Sequence, residues 1–213
     1  MKIMISRPIL LLLFFGALLS PAYAKSNFIT VHLPLGISID IPRNWEILNN
    51  DQLITLDTTV ESQLDLSRLQ KDTSNLSFAA YHADGNIEDA KVIVRYYPNT
   101  QVFQEEIKKY GSKEIQEFDN AIKQSIFNAA KLSGDTILSW GGTRKLDISD
   151  HAALITEYRR PPFSGQQGSV TVQLFRVFDG TKTFSITVSY NDLRSVIYKP
   201  ICERILSTIR IRN

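Results

Sequence analysis

"SVTVQLFRVFDGTKTFSITVSY", residues 169–190, is the stretch that decides the fold of this chain. Both of its halves are rich in β-branched and aromatic residues, and Asp179–Gly180 lies between them. In the second half, Phe184, Ile186, Val188 and Tyr190 alternate with serine and threonine. This alternation predicts a strand with one buried face, and Asp-Gly between two such runs is a strong hairpin signal. We therefore predict an antiparallel β-hairpin here.

A second alternating stretch, "GISIDIPRNWEIL", occupies residues 36–48. Ile37, Ile39 and Ile41 point to one face of a predicted strand, which ends at Pro42 because proline cannot donate to a β-ladder. Trp45 follows just beyond the end of the strand. Its bulky ring is typical of a side chain that closes a core, and a ligand-stacking role is the alternative. Trp140, at the end of another predicted strand, has the same two interpretations.

Helices are predicted over residues 100–132 and from Asp192 to Ser207. In the first region Gly111 interrupts the pattern, so we expect two helices or one kinked helix, with Gly134 as the stop. In the second, an apolar stripe is expected to face the core, with a kink or restart near Tyr198 because of Pro200. The stripe comprises Leu193, Val196, Ile197, Ile201, Ile205 and Leu206.

The remaining strands are predicted at 28–33, 76–83, 90–97, 136–140, 143–149 and 152–160. Strands, then helix, then a run of strands, then a C-terminal helix is the order typical of an α+β fold with a largely antiparallel sheet.

The N-terminus has the features of a secretory signal. Lys2 and Arg7 precede an apolar run at 9–20, and Ala24 ends a small–x–small cleavage pattern. The run is shorter than the roughly 20 residues of a stable membrane span, which favours cleavage over retention as an anchor. We predict a signal peptide at 1–24, a single domain at 25–213, a periplasmic or secreted location and no membrane span after cleavage.

Charge argues against a nucleic-acid partner. The whole chain has 24 basic and 22 acidic residues, and residues 1–24 hold two basic residues and no acidic one. The remaining chain therefore has 24 − 2 = 22 basic residues against 22 acidic residues. A chain with no net positive charge has no general attraction for nucleic acid.

Cys202 is the single cysteine, so an internal disulfide is excluded. Its apolar surroundings predict a small buried side chain. An intermolecular disulfide or a reactive thiol is the alternative.

The order of elements resembles the PsbP-like superfamily, which includes an extrinsic subunit of photosystem II, a Ran-binding transport factor and DcrB-like bacterial envelope proteins. The resemblance lies in four stretches: "GISIDIPRNWEI", "LITEYRR", "VFDGTKTFSITVSY" and "YKPICERILSTIRI". It implies an α/β/α sandwich around an antiparallel sheet and a binding or accessory role, with no catalytic residues to transfer. The signal favours the DcrB-like envelope branch. Residues 49–90 match the pattern least and are interpreted as an insertion.

No motif for catalysis, a metal or a cofactor stands out. His32, His82 and His151 lack metal-ligand spacing, although ligands from distant segments would escape detection. Ser149, Asp150 and His151 are consecutive, so their side chains diverge, whereas a catalytic triad must converge. We predict no enzyme activity, no metal and no cofactor.

The stretch "YRRPPFSGQQG", residues 158–168, is the predicted partner-binding patch, through Arg159, Arg160 and Phe163. Arginine and aromatic residues are enriched in protein interfaces. The alternative is a strand end whose charges and prolines deter aggregation. Changing Arg159 and Arg160 to Glu is expected to leave the fold intact and to abolish partner binding.

The predicted function is therefore a non-enzymatic accessory or binding module of the bacterial envelope whose partner is an envelope protein. The alternative is a periplasmic small-molecule carrier with an apolar pocket between the sheet and a helix.

Overall fold

The computed structural model describes residues 27–33, 36–49, 51–53, 75–84, 87–162 and 167–212. The predicted signal peptide at 1–24 and Phe163 lie outside these residues. So does most of the predicted insertion, although residues 75–84 and 87–90 lie in the larger sheet.

Nine strands and three α-helices are defined in the described part of the chain. The strands are β1 (Phe28–His32), β2 (Ile37–Pro42), β3 (Glu46–Ile47), β4 (Asn75–Asp84), β5 (Ile87–Val102), β6 (Ser139–Ile148), β7 (His151–Arg160), β8 (Val170–Asn191) and β9 (Arg210–Ile211). The helices are α1 (Gln104–Lys109), α2 (Ser112–Ser133) and α3 (Ser195–Ser207), and a 3₁₀ turn, Asp192–Arg194, precedes α3.

β8 is a hairpin within one unbroken stretch of extended backbone. Its 22 residues would span about 73 Å if straight. Yet the N–H of Asp192 donates to the carbonyl of Ser169 at 2.8 Å, so the two ends meet. The chain reverses at Gly180, which has a φ of +62° that favours glycine. The predicted hairpin is therefore present, with Gly180 at its tip.

The larger sheet has the strand order β3-β4-β5-β8-β7-β6. The first arm of β8 pairs with β7 over residues 170–177, and the second arm pairs with β5 over residues 180–190. A smaller sheet has the order β1-β2-β9. Every pairing between the described strands is antiparallel, which confirms the predicted sheet type.

The core has two layers, one on each face of the larger sheet. On one face, β2, β9 and α3 cover the alternating apolar residues of β5, β7 and β8. On the other face, α1 and α2 pack against β7 and β8. Helices thus lie on both faces, and the predicted α+β fold, with a sandwich around an antiparallel sheet and a C-terminal helix, is confirmed.

The predicted break in the first helical region separates α1 from α2. The N–H of Gly111 donates to Glu114 Oε2 at 2.9 Å and so satisfies one free donor at the start of α2. Gly134 ends α2 in the left-handed conformation, with a φ of +75°.

α3 differs from its prediction in two ways. It is a single helix that contains Pro200, so no restart occurs near Tyr198, and the predicted kink stays a prediction. Its buried residues are Tyr198, Cys202 and Ile205. The expectation that Leu193, Val196 and Ile197 face the core is wrong, since all three are exposed.

Among the described residues, no helix combines the length and apolar character that a membrane crossing requires.

Candidate functional site: an interaction surface and its neighbours

The main candidate site is an apolar surface at the start of α3, which we call the α3 patch: Leu193, Val196 and Ile197. Their exposed fractions are 70%, 89% and 57%. A spacing of three and four residues makes Leu193 a neighbour of the other two. Large apolar side chains that cluster at an exposed position can mark an interaction site.

The beginning of the predicted partner-binding patch, residues 158–168, borders the α3 patch. Arg159 Nε lies 3.6 Å from Asp192 Oδ2, directly before Leu193. Ser169 Oγ donates to the same carboxylate, and Thr171 Oγ1 donates to Asp192 Oδ1 at 2.5 Å. Asp192 thus ties the strands of the larger sheet to the start of α3 and brings the exposed Arg159 to the rim of the α3 patch.

Gly168 shapes the same border. Its φ of +95° favours glycine, and a Cβ added there would lie 2.9 Å from Leu193 Cγ. The glycine therefore lets the loop pass close to the α3 patch.

Arg160 lies apart from Arg159. Successive strand residues point to opposite faces, and the buried Arg160 lies on the face away from α3, where its Nη1 donates to the carbonyl of Pro161 at 2.9 Å. The expectation that changing both arginines to Glu leaves the fold intact is corrected for this reason. A carboxylate at position 160 would be buried, so only Arg159→Glu tests the surface.

The two tryptophans lie in different environments. Trp45 is buried in the core cluster beneath α3, and its backbone N–H donates to the carbonyl of Pro42 at 3.0 Å. Trp140 is half-buried, stacks on Tyr158 and donates from Nε1 to Asp119 Oδ1 at 3.1 Å. Neither ring borders the α3 patch in these contacts, and ligand stacking stays a prediction for both.

A polar cluster around the buried Asp89 joins the β4–β5 hairpin to α3, and we call it the buried polar cluster: His82, Asp89, Arg194 and Tyr198. Asp89 and Tyr198 are buried, whereas His82 and Arg194 are partly exposed. Asp89 Oδ2 lies 3.2 Å from each of His82 Nδ1, Arg194 Nη1 and Tyr198 Oη. The Tyr198 hydroxyl also lies 2.9 Å from His82 Nδ1. Burial, and then the nearby Asp89 carboxylate, raise the pKa of Tyr198.

A β-bulge aims Asp89 into this cluster. His82 pairs with Ala90 and Ala83 pairs with Glu88, so Asp89 has no residue opposite it on β4. An extra residue of this kind redirects a side chain. The cluster was not predicted from the sequence, where the visible signal was only that His82 and Asp89 lie near the facing ends of the predicted strands 76–83 and 90–97.

A cavity of about 490 Å³ lies between the end of the β1–β2 pair and the middle of α3. We call it the α3 cavity, and its lining residues are Asn27, Phe28, Pro42, Arg43, Asn44, Ile201 and Arg204. The guanidinium of Arg204 lies 4.2 Å from the centroid of the Phe28 ring. The cavity was not predicted residue by residue, because its walls come from distant parts of the sequence.

Comparisons with known proteins give matches by structure alone. No family model matches the sequence, and no curated protein matches it. The chain is similar to the solution structure of cyanobacterial PsbP (CyanoP) from Synechocystis sp. PCC 6803, with a TM-score of 0.52, 10% identity and coverage of 87% of this chain and 93% of that one.

Two further matches score lower. LpqN, involved in cell envelope biogenesis of Mycobacterium tuberculosis, aligns with a TM-score of 0.46 and 12% identity over 90% of this chain and 95% of that one. The Ran-binding protein Mog1p of Saccharomyces cerevisiae aligns with a TM-score of 0.42 and 8% identity over 87% of this chain and 95% of that one. The CyanoP match shows that the fold of this chain is PsbP-like, as its sequence pattern predicted.

Proposed function

We propose that this protein is an exported, non-enzymatic accessory module of the bacterial envelope, of the DcrB-like type, and that it binds an envelope protein through the α3 patch. The observation that supports the proposal is the exposure of three large apolar side chains at the start of a helix whose opposite side is anchored in the core. Burying such side chains against a partner releases roughly 1.5–3 kcal/mol each before the costs of association.

The surroundings of the α3 patch support a docking role. The backbone beneath it is fixed by the Asp192 hydrogen bonds and by the buried polar cluster, so little order must be gained on binding. Arg159 adds a cation at the rim, where a charged side chain affects the rate and specificity of association more than the affinity.

The buried polar cluster supports a structural role rather than a catalytic one. Asp89 is fully buried, and Arg194 Nη1 and the Tyr198 hydroxyl donate to its Oδ2, which also lies beside His82 Nδ1. A carboxylate in this setting holds α3 to the sheet and is not presented to a substrate in solution.

The test is a pull-down from the envelope fraction with the mature protein and three variants. The first combines Leu193→Ser, Val196→Ser and Ile197→Asn, and the second is Arg159→Glu. The matched control combines Leu132→Ser with Leu138→Ser, which removes exposed apolar side chains outside the α3 patch. We expect a protein that is captured by wild type and control to be lost with the triple variant and reduced with Arg159→Glu. Equal capture by the triple variant contradicts the proposal, provided that its melting temperature matches that of wild type.

A carrier of small molecules is the second candidate function, and the α3 cavity is the observation that favours it. Its volume of about 490 Å³ falls within the range of roughly 300–1,000 Å³ typical of ligand sites. Phe28, Pro42 and Ile201 give it an apolar surface next to a helix.

A further inference from the structure

We infer that the α3 cavity selects small amphipathic carboxylates over neutral or cationic molecules with the same apolar body. The inference rests on the second candidate function, because it names the class of ligand that the cavity would carry. It is argued from the chemistry of the cavity wall.

The wall has an apolar part contributed by separate elements. Phe28 comes from β1, Pro42 ends β2 and Ile201 lies on α3. The antiparallel pairing of β1 and β2 places Phe28 directly opposite Pro42. An alkyl chain or a ring can therefore lie against a continuous apolar surface.

The charged lining residues that the structure describes are both basic. Arg43 follows β2 and Arg204 lies on α3, and the described lining residues include no aspartate or glutamate. The other polar lining residues are Asn27 and Asn44, whose amide groups can donate hydrogen bonds. An anion is therefore the head group that matches this wall.

The position of Arg204 suits a carboxylate. Its guanidinium lies over the face of Phe28, and a guanidinium in that position keeps N–H groups along its edge for a planar acceptor. The positive charge of Arg204 and the apolar surface of Phe28 are thus in contact within one cavity. A ligand with an anionic head group and an apolar body can therefore contact both at once. Bonds from arginine to a carboxylate are shorter and stronger than those between neutral groups.

The cavity and the α3 patch adjoin along the helix but have no residue in common. Ile197 of the patch and Ile201 of the cavity are one turn apart on α3. Variants of the cavity can thus be made without changing the patch.

The test is isothermal titration calorimetry of the mature protein at pH 7 with octanoate, 1-octanol and octylammonium, which share an alkyl chain and differ in charge. We expect octanoate to bind at least about tenfold more tightly than either of the other two. Arg204→Gln is expected to weaken octanoate binding by about tenfold, and Arg43→Gln, whose side chain has a further partner in the protein, by less. The matched control, Lys199→Gln, removes an exposed charge from the same helix outside the cavity and should leave binding unchanged.

A fourth variant separates loss of charge from loss of folding. Arg204→Lys keeps the charge and most of the apolar stem, so it should retain a preference for octanoate over octylammonium even if Arg204→Gln lowers the melting temperature. Rising salt should weaken octanoate binding and leave octanol unaffected.

Each contrary outcome has a distinct meaning. Octanol binding as tightly as octanoate overturns the anion selectivity and leaves the carrier role standing. Octanoate binding that survives both arginine changes overturns the inference as well. If none of the three probes binds, both the inference and the carrier role are contradicted, while the docking role of the α3 patch is judged by its own variants.

Discussion

At the scale of single residues, Asp89 has the most consequential position. It is the extra residue of a β-bulge and is fully buried, with polar groups from β4, the 3₁₀ turn and α3 around one oxygen. Its other oxygen, Oδ1, has no hydrogen-bond partner among the described residues. A buried charge of this kind is stable only while its donors stay in place, so Asp89 couples the β4–β5 hairpin to α3.

Asp89→Asn should destabilise the protein by about 1–3 kcal/mol, because the amide keeps the shape but loses the charge that accepts hydrogen bonds from Arg194 and Tyr198. Urea denaturation measures this difference. Asp147→Asn, at an exposed position on β6, is the matched control and should change stability by less than about 0.5 kcal/mol. Equal stability of the two variants would contradict a structural role for Asp89.

Cys202 is the second residue with a measurable consequence. Burial, and to a lesser degree Glu203, raise the pKa of its thiol to about 12. In the folded protein the thiol should therefore resist iodoacetamide at pH 8, whereas the unfolded chain in urea should react readily.

The same shift gives a pH dependence. The unfolded thiol ionises near its ordinary pKa of 9.0, whereas the folded thiol stays protonated. The contribution of Cys202 to stability is therefore constant below pH 9 and declines as the pH rises from about 9 towards 12. Rapid alkylation of the native protein, or a disulfide-linked dimer on a non-reducing gel, would contradict this account.

At the scale of elements, α3 has two apolar sides with different roles. At 100° per residue, Tyr198, Cys202 and Ile205 fall within one narrow arc, and the α3 patch lies on the opposite side of the helix. The predicted apolar stripe combined residues from both sides of the helix. The angular positions of these residues follow from the sequence alone, whereas the exposure of one side became visible only in the structure.

A pair of substitutions on α3 separates its two sides. Ile205→Ala should cost about 2–5 kcal/mol, because the side chain is fully buried in the main core cluster. Val196→Ser should change stability by less than about 0.5 kcal/mol, because its side chain is 89% exposed. Thermal melting of both variants makes the comparison, and a large loss at Val196 would mean that the α3 patch is packed rather than free.

At the scale of the whole molecule, strand periodicity and turn chemistry predicted much of the fold. The alternation in residues 183–190 and the isoleucines at 37, 39 and 41 identified the core faces correctly. The strand order was not predictable, because the pairing of β5 with the second arm of β8 depends on contacts about 90 residues apart. The residues that line the α3 cavity and those that form the buried polar cluster were not predicted for the same reason.

Removal of residues 192–213 tests the architecture as a whole. It deletes α3 and β9 and exposes the face of the larger sheet that they cover, together with the edge of β2. We expect no cooperative unfolding transition by circular dichroism or calorimetry. A truncated protein that is soluble and melts cooperatively would show that α3 and β9 are not needed for folding.

Site-specific photo-crosslinking tests the docking role of the α3 patch most directly. A photoreactive amino acid is placed at Val196 within the patch, which is 89% exposed, or at Leu132, an apolar control that is 73% exposed. Cells are irradiated before the envelope is extracted. The account predicts one discrete crosslinked envelope protein from position 196 that is absent from position 132. No adduct from position 196, or the same adducts from both positions, would contradict it.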